Sequence, residues 1–209
     1  MSVPRDFHTT DRTGWIRLAR HFSNLISPPT LFAALGLVLA IYERPGIPGL
    51  AWGVAHGLVV SLLPILFVLW LLRTGRIAEL HMTNQRERNL PYLVTISCAF
   101  GFLIINRLFN GPDLLACLAA INGTTVILIA LINFFWLISI HATAAMAATA
   151  IVAAVFGTPA GLVTFPLVLG IAAARIYLQR HTPAQVLAGI ILGVVVVWVA
   201  TLFGCFVVG

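Results

Sequence analysis

Seven apolar segments, each set off from the next by a short polar stretch, leave this chain few ways to fold. They run from Asn24 to Tyr42, Leu50 to Leu72, Pro91 to Ile105, Leu114 to Leu137, His141 to Phe156, Gly161 to Leu178 and Gln185 to Val208. About 20 mostly apolar residues cross a bilayer core as a helix, and in lipid a helix satisfies its own backbone polar groups. The pattern predicts an all-α, polytopic transmembrane helical bundle of six to seven spans, six if the first segment is re-entrant or interfacial. The third and fifth segments are short enough to thin the bilayer locally. Pro28, Pro29 and Pro64 are expected to kink their helices. Composition agrees: the chain is 60% hydrophobic and 9% charged, where a soluble domain carries roughly 25% charged residues. A polar basic segment over 1–22, without a secretory signal pattern, precedes one helical domain over 23–209.

Alternation of spans assigns the loops to sides. The N-terminal segment, the 73–90 loop, the Ser139–His141 junction and the 179–184 loop fall on one side. The 43–49, 106–113 and 157–160 connections and the C-terminus fall on the other. Cytoplasmic loops carry the excess of basic residues. With Arg86, Arg88 and Arg175 set aside for chemistry, the first side still holds Arg5, Arg12, Arg17, Arg20, Arg73, Arg76 and Arg180, against Arg44 and Arg107. The first side is therefore expected to be cytoplasmic, in the inner membrane of the cell. No nucleic-acid partner is expected.

Three polar clusters then share that one membrane face. They are His81-Met82-Thr83-Asn84-Gln85-Arg86-Glu87-Arg88, Ser139-Ile140-His141, and Arg175 with His181 six residues on. A guanidinium and an imidazole at a membrane boundary suit a phosphate group, one as fixed clamp and the other as nucleophile or acid/base. A phosphoryl group in flight spreads negative charge over its oxygens, so cationic donors fixed around it stabilise the transition state. Arg88 and Arg175 can supply planar bidentate donors. His81 can donate as imidazolium, and Ser139 through its hydroxyl or backbone N–H.

Taken together, the clusters resemble the tripartite signature of the type 2 phosphatidic acid phosphatase superfamily, K-x6-R-P, P-S-G-H and S-R-x5-H-x3-D. His81 stands at the lysine, Arg88 matches the arginine, Arg86 matches a frequent inner arginine, and Asn89 replaces the proline. Ser139 and His141 match the second motif, with Ile138 and Ile140 at its proline and glycine. Arg175 and His181 match the third, with Ala174 at the serine and Gln185 at the aspartate. The resemblance covers roughly residues 73–200. It implies a membrane-embedded lipid phosphatase acting on a phosphomonoester or diphosphate of a lipid or isoprenoid, without metal or other cofactor. It implies His181 as nucleophile, His141 as general acid, and Gln185 as the group that orients His181 where the family uses a charge. Glu79 or Glu87 would then be the local sources of that charge. The substrate-phosphate ligands it implies are Arg88, Arg175, His81, Ser139 and Arg86.

Other readings compete with this one. The same cations suit a degenerate homologue that binds anionic lipid headgroups, or a phosphotransferase with an acceptor other than water. More simply, interfacial arginines snorkel to headgroups and histidines cap helices. Arg86 by itself reads as part of a water-facing loop. His56, inside a span, reads as a neutral, hydrogen-bonded histidine, and Asn122-Gly123-Thr124-Thr125 as interhelical packing. Arg5, Arg12, Arg17 and Arg20 with Trp15 read as a lipid-facing anchor. Cys98, Cys117 and Cys205 lie in apolar runs and read as small hydrophobes without a disulfide framework.

Overall fold

The computed structural model describes residues 4–8, 10, 13–77 and 85–206, with only the backbone of Gln85 and Arg86. Among these residues every regular element is helical: α1 (Gly14–Leu25), α2 (Pro28–Glu43), α3 (Ile47–Arg73), α4 (Asn89–Leu108), α5 (Asp113–Asn133), α6 (Ile140–Phe156), α7 (Thr158–Tyr177) and α8 (Pro183–Leu202). Five of them, α3, α4, α5, α7 and α8, are long and apolar enough to cross a membrane. Together α1 and α2, bent by 43°, pass as a sixth.

The proline positions explain one departure from the expected pattern and one feature that it did not contain. The segment expected from Asn24 to Tyr42 divides, because the residue before a proline is pushed out of the α region. Thus α1 ends before Ser27, and Pro28 opens α2, where a missing N–H costs nothing. Pro64 does not end α3. A π-helical stretch over Gly57–Leu62 precedes it, with the Leu63 N–H bonded to the Leu58 carbonyl. This local re-registering absorbs the hydrogen bond that Pro64 cannot make. The fifth expected segment is short, as its sequence suggested: α6 has 17 residues, about 26 Å of helix against a core of roughly 30 Å.

The chain packs as two compact units, Met1–Leu31 with Leu137–Gly209, and Phe32–Trp136. In the second unit α5 is the inner helix, 61% buried along its most apolar stretch against 28% for α3 and α4. Both oxygens of Glu43 accept from the N-terminal amides of α5, Asp113 N–H at 2.6 Å and Leu114 N–H at 2.7 Å. A carboxylate there meets the positive end of the helix dipole. The contact joins the 43–49 and 106–113 connections at one end of this unit. At its other end Asn133 donates to the Tyr92 hydroxyl at 2.6 Å. Gly123 does serve interhelical packing: a Cβ there would lie 2.7 Å from the Phe100 ring. His56 departs from its reading. It is fully buried, edge-on to Phe102, and neither ring nitrogen has a hydrogen-bond partner among the described residues.

In the first unit α6 packs along both α7 and α8. Ala142, Ala144, Ala145, Ala147 and Ala148 of α6 are buried, and α8 answers with Gly189 and Gly193, one turn apart. A Cβ on Gly193 would stand 2.6 Å from the Thr143 carbonyl oxygen, and one on Gly189 2.7 Å from that of Ser139. The two backbones touch, which is how small residues at four-residue spacing associate helices in lipid. Gly193→Val is therefore expected to lower stability by about 1–3 kcal/mol or more, read as an earlier thermal unfolding in detergent. Gly101→Ala, where nothing lies within 4 Å, is the control. An unchanged Gly193→Val transition would refute the close approach.

Two of the cysteines correct the sequence reading. Cys117 and Cys205 are each disulfide-bonded, while Cys98 is a half-buried free thiol. Pairing of this kind leaves no trace in cysteine spacing.

Candidate active site

The third motif folds as a tight corner between α7 and α8. At the end of α7, Gln179 adopts the left-handed conformation (φ 56°) usually given to glycine. Its N–H bonds the Ile176 carbonyl at 2.9 Å, and the Arg180 N–H bonds the Arg175 carbonyl at 3.0 Å. These two bonds define a Schellman motif. The reversed chain then brings the His181 N–H to the same Arg175 carbonyl, at 3.4 Å. The Arg-x5-His spacing thus has a geometric meaning: it is the length of one helix stop that returns on itself. Both residues end up buried, Arg175 4% and His181 7% exposed.

Thr182 starts α8 at once. Its hydroxyl accepts from the Gln185 N–H at 3.3 Å, and the Gln185 Oε1 accepts from the Thr182 N–H at 2.9 Å. This is a capping box. Gln185, assigned by resemblance to orient His181, has its side-chain oxygen on the helix cap. Its backbone carbonyl accepts from the Ser139 N–H at 3.2 Å, tying the second motif to the third. Ser139 caps α6, taking the Ala142 N–H on its hydroxyl at 3.4 Å, and is fully buried. Half-buried His141 follows in the first turn of α6. Ser139 and Thr182 therefore do the capping that the plainer reading gave to histidines. Arg175, so deeply buried, does not snorkel.

The structure thus brings Ser139, His141, Arg175, His181 and Gln185 to one end of the first unit. Arg88 belongs to the second unit, half-buried where a 3-10 turn over Gln85–Arg88 runs into α4. His81, Glu79 and the side chain of Arg86 lie outside the described residues. Among the described residues no group of three or more His, Cys, Asp or Glu side chains could hold a metal ion.

Sequence reasoning missed Asp6, Arg20 and Ser23. The Asp6 carboxylate is buried, accepting from Arg180 Nε at 2.8 Å and from an Arg20 guanidinium nitrogen at 2.7 Å. The neighbouring Arg5 N–H bonds the Leu178 carbonyl at 3.1 Å, and its guanidinium lies 5.0 Å from the Tyr177 ring centre. Ser23, on the same face of α1 as Arg20, accepts from an Arg175 guanidinium nitrogen at 3.3 Å. Phe22 fixes α1 against α7 at Gly170, where a Cβ would meet the Phe22 ring at 2.9 Å. The expected lipid-facing arginine anchor is corrected for Arg20, which turns to Asp6; Arg5, Arg17 and Trp15 are exposed, Arg5 lying over the Tyr177 ring, and Arg12 lies outside the described residues. The available signal was scarcity. Asp6 is one of six acidic residues in the chain, and an acid that is buried must be paired.

Burial alone would raise the Asp6 pKa, but the hydrogen bonds and charges of Arg180 and Arg20 outweigh it, so the carboxyl titrates below its ordinary value. A depressed carboxylate pKa contributes stability above the unfolded-state value, which is lost as pH falls through the folded one. The clamp is intact at neutral pH.

The capping box carries its own prediction. Gln185→Glu keeps the acceptor at the same reach and adds a charge that the α8 dipole favours, so the unfolding temperature should hold or rise. Gln185→Asp is one methylene short and is expected to lose about 1 kcal/mol of cap. Equal melting of the two variants in detergent would show that the Gln185 cap has no energetic weight.

No protein-family model matches the chain, and no curated protein and no solved structure is similar enough to count as a match.

Proposed function

We propose that this integral membrane protein is a phosphatase that hydrolyses a phosphomonoester or diphosphate of a lipid or isoprenoid through a phosphohistidine. The observation that carries the reading is the buried α7–α8 corner, which sets Arg175 and His181 on one Schellman turn and links them, through Ser139 and Gln185, to the start of α6 that bears His141. A ring nitrogen of His181 attacks phosphorus, forming the N–P bond as the P–O bond to the lipid alkoxide breaks. His141 gives its proton to that alkoxide, then takes one from the water that cleaves the N–P bond and releases inorganic phosphate. Arg175 stabilises the charge that develops on the non-bridging oxygens. Arg88, Arg86 and His81 enter this reading by resemblance alone. The arginine distribution along the chain supports a reaction at the cytoplasmic face, and in this reading the membrane is the inner membrane.

One observation favours a second reading. The Gln185 oxygen is committed to the α8 cap, which suits a corner that holds a headgroup without turning it over. Purified protein and a panel of lipid and polyprenyl mono- and diphosphates separate the readings. Free phosphate supports hydrolysis, a new phosphorylated product supports transfer, and binding without turnover supports the headgroup-binding reading.

A further inference from the structure

Three arginines are held at the corner: Arg175 donates to the Ser23 hydroxyl, and Arg180 and Arg20 share one carboxylate, Asp6. That carboxylate occupies the position in which two guanidinium groups would grip a phosphate, since both anions present planar pairs of acceptor oxygens to the arginine fork. Asp6 is fully buried, and its neighbour Arg5 ties the segment by backbone to Leu178 at the end of α7. The chain thus supplies its own anion to the arginine that immediately precedes His181.

We propose that Asp6 is a positioning residue that sets charge selectivity: by holding Arg180 and Arg20 it keeps them from the substrate and tunes the corner to the less charged phosphomonoester. The inference rests on the phosphatase reading for its substrate, though not for its electrostatics. Neutralising Asp6 makes the corner one unit more positive. An added cation attracts each anion in proportion to its charge. A monoester phosphate carries about −1.5 to −2 at neutral pH, and a terminal diphosphate carries about one negative charge more. The relative affinity therefore moves toward the diphosphate, by about tenfold at the separations and screening of a partly wet site.

The test uses the whole protein in detergent, with inorganic phosphate and inorganic pyrophosphate as probes. Each is titrated calorimetrically and as an inhibitor of phosphate release. Asp6→Asn should raise the pyrophosphate-to-phosphate affinity ratio about tenfold, and Arg20→Gln should lower it by a similar factor. Opposite shifts from two substitutions in one cluster cannot arise from a common loss of structure. Should Asp6→Asn fail to fold, Arg20→Gln still decides, because Asp6 and Arg180 keep each other there. A folded Arg20→Gln protein with an unchanged ratio overturns the proposal, and so does a wild-type protein that binds neither probe. If the binding ratio moves but no lipid phosphate is hydrolysed, the phosphatase reading falls and the charge role of Asp6 stands. If turnover is present and the ratio does not move, the reverse holds.

Discussion

His181→Ala is expected to abolish phosphate release while leaving the protein folded in detergent. In the proposed reaction, where His141 is assigned the separate role of general acid, the imidazole of His181 forms the covalent intermediate. Its loss removes the step rather than slowing it, so the residue left behind should retain no more than the background of an uncatalysed site. The backbone features of the corner survive the change, because the Schellman bonds and the Thr182 cap use main-chain groups and the Thr182 and Gln185 side chains, with nothing taken from the imidazole. The protein is therefore expected to stay folded, with an unfolding temperature lowered only by the space that the buried side chain leaves. Acid quenching of the wild type in mid-turnover should trap a phosphorylated imidazole, absent from the variant. An active enzyme whose His181→Ala form keeps more than a few per cent of its rate would remove His181 from the nucleophile role.

Arg175→Ala should lower the rate by about 10² or more, as expected for one preorganised donor to a developing oxyanion. The structure adds a second consequence. Arg175 is buried on Ser23, so its truncation also opens a space between α1 and α7, and a loss of stability accompanies the loss of rate. Arg175→Lys separates the two effects. It keeps the charge and most of the volume but loses the planar fork. Its unfolding should lie close to wild type while its rate stays well below. Ser23→Ala, which removes one neutral hydrogen bond to Arg175, should weaken substrate binding more than turnover. A full rate in Arg175→Lys would show that only charge is needed there, and not the bidentate geometry.

Much of the helical framework was legible because each membrane helix is locally determined. Runs of apolar residues such as Leu114 to Leu137 have one satisfactory way to lie in lipid, whatever surrounds them. The breaks were legible less completely. Pro28-Pro29 reads as a kink, but only the backbone shows that α1 and α2 are separate helices. Pro64 reads as a kink as well, and only the backbone shows the π-helical turn that precedes it. Two local signals were present and passed over. Thr182-x-x-Gln185 is a capping box by sequence, although Gln185 reads first as a substitute for a catalytic acid. Gly189-x3-Gly193 is a helix-association pattern by sequence, hidden in a segment that reads simply as apolar.

The sequence by itself determined an all-helical membrane protein, and it marked Ser139, His141, Arg175 and His181 as residues whose chemistry suits a phosphate. Those are properties of residue type and of spacing along a few turns, where hydrophobicity and hydrogen bonding act locally. Only the tertiary structure decided what surrounds Arg175 and Arg180. Their partners Ser23 and Asp6 are 152 and 174 residues away, and no periodicity or motif connects positions so far apart. The physical reason is that a buried guanidinium must be paired, but any acceptor the fold delivers will do. Which acceptor arrives depends on how α1 docks on α7, through Phe22 at Gly170, and that is settled by packing across the whole unit.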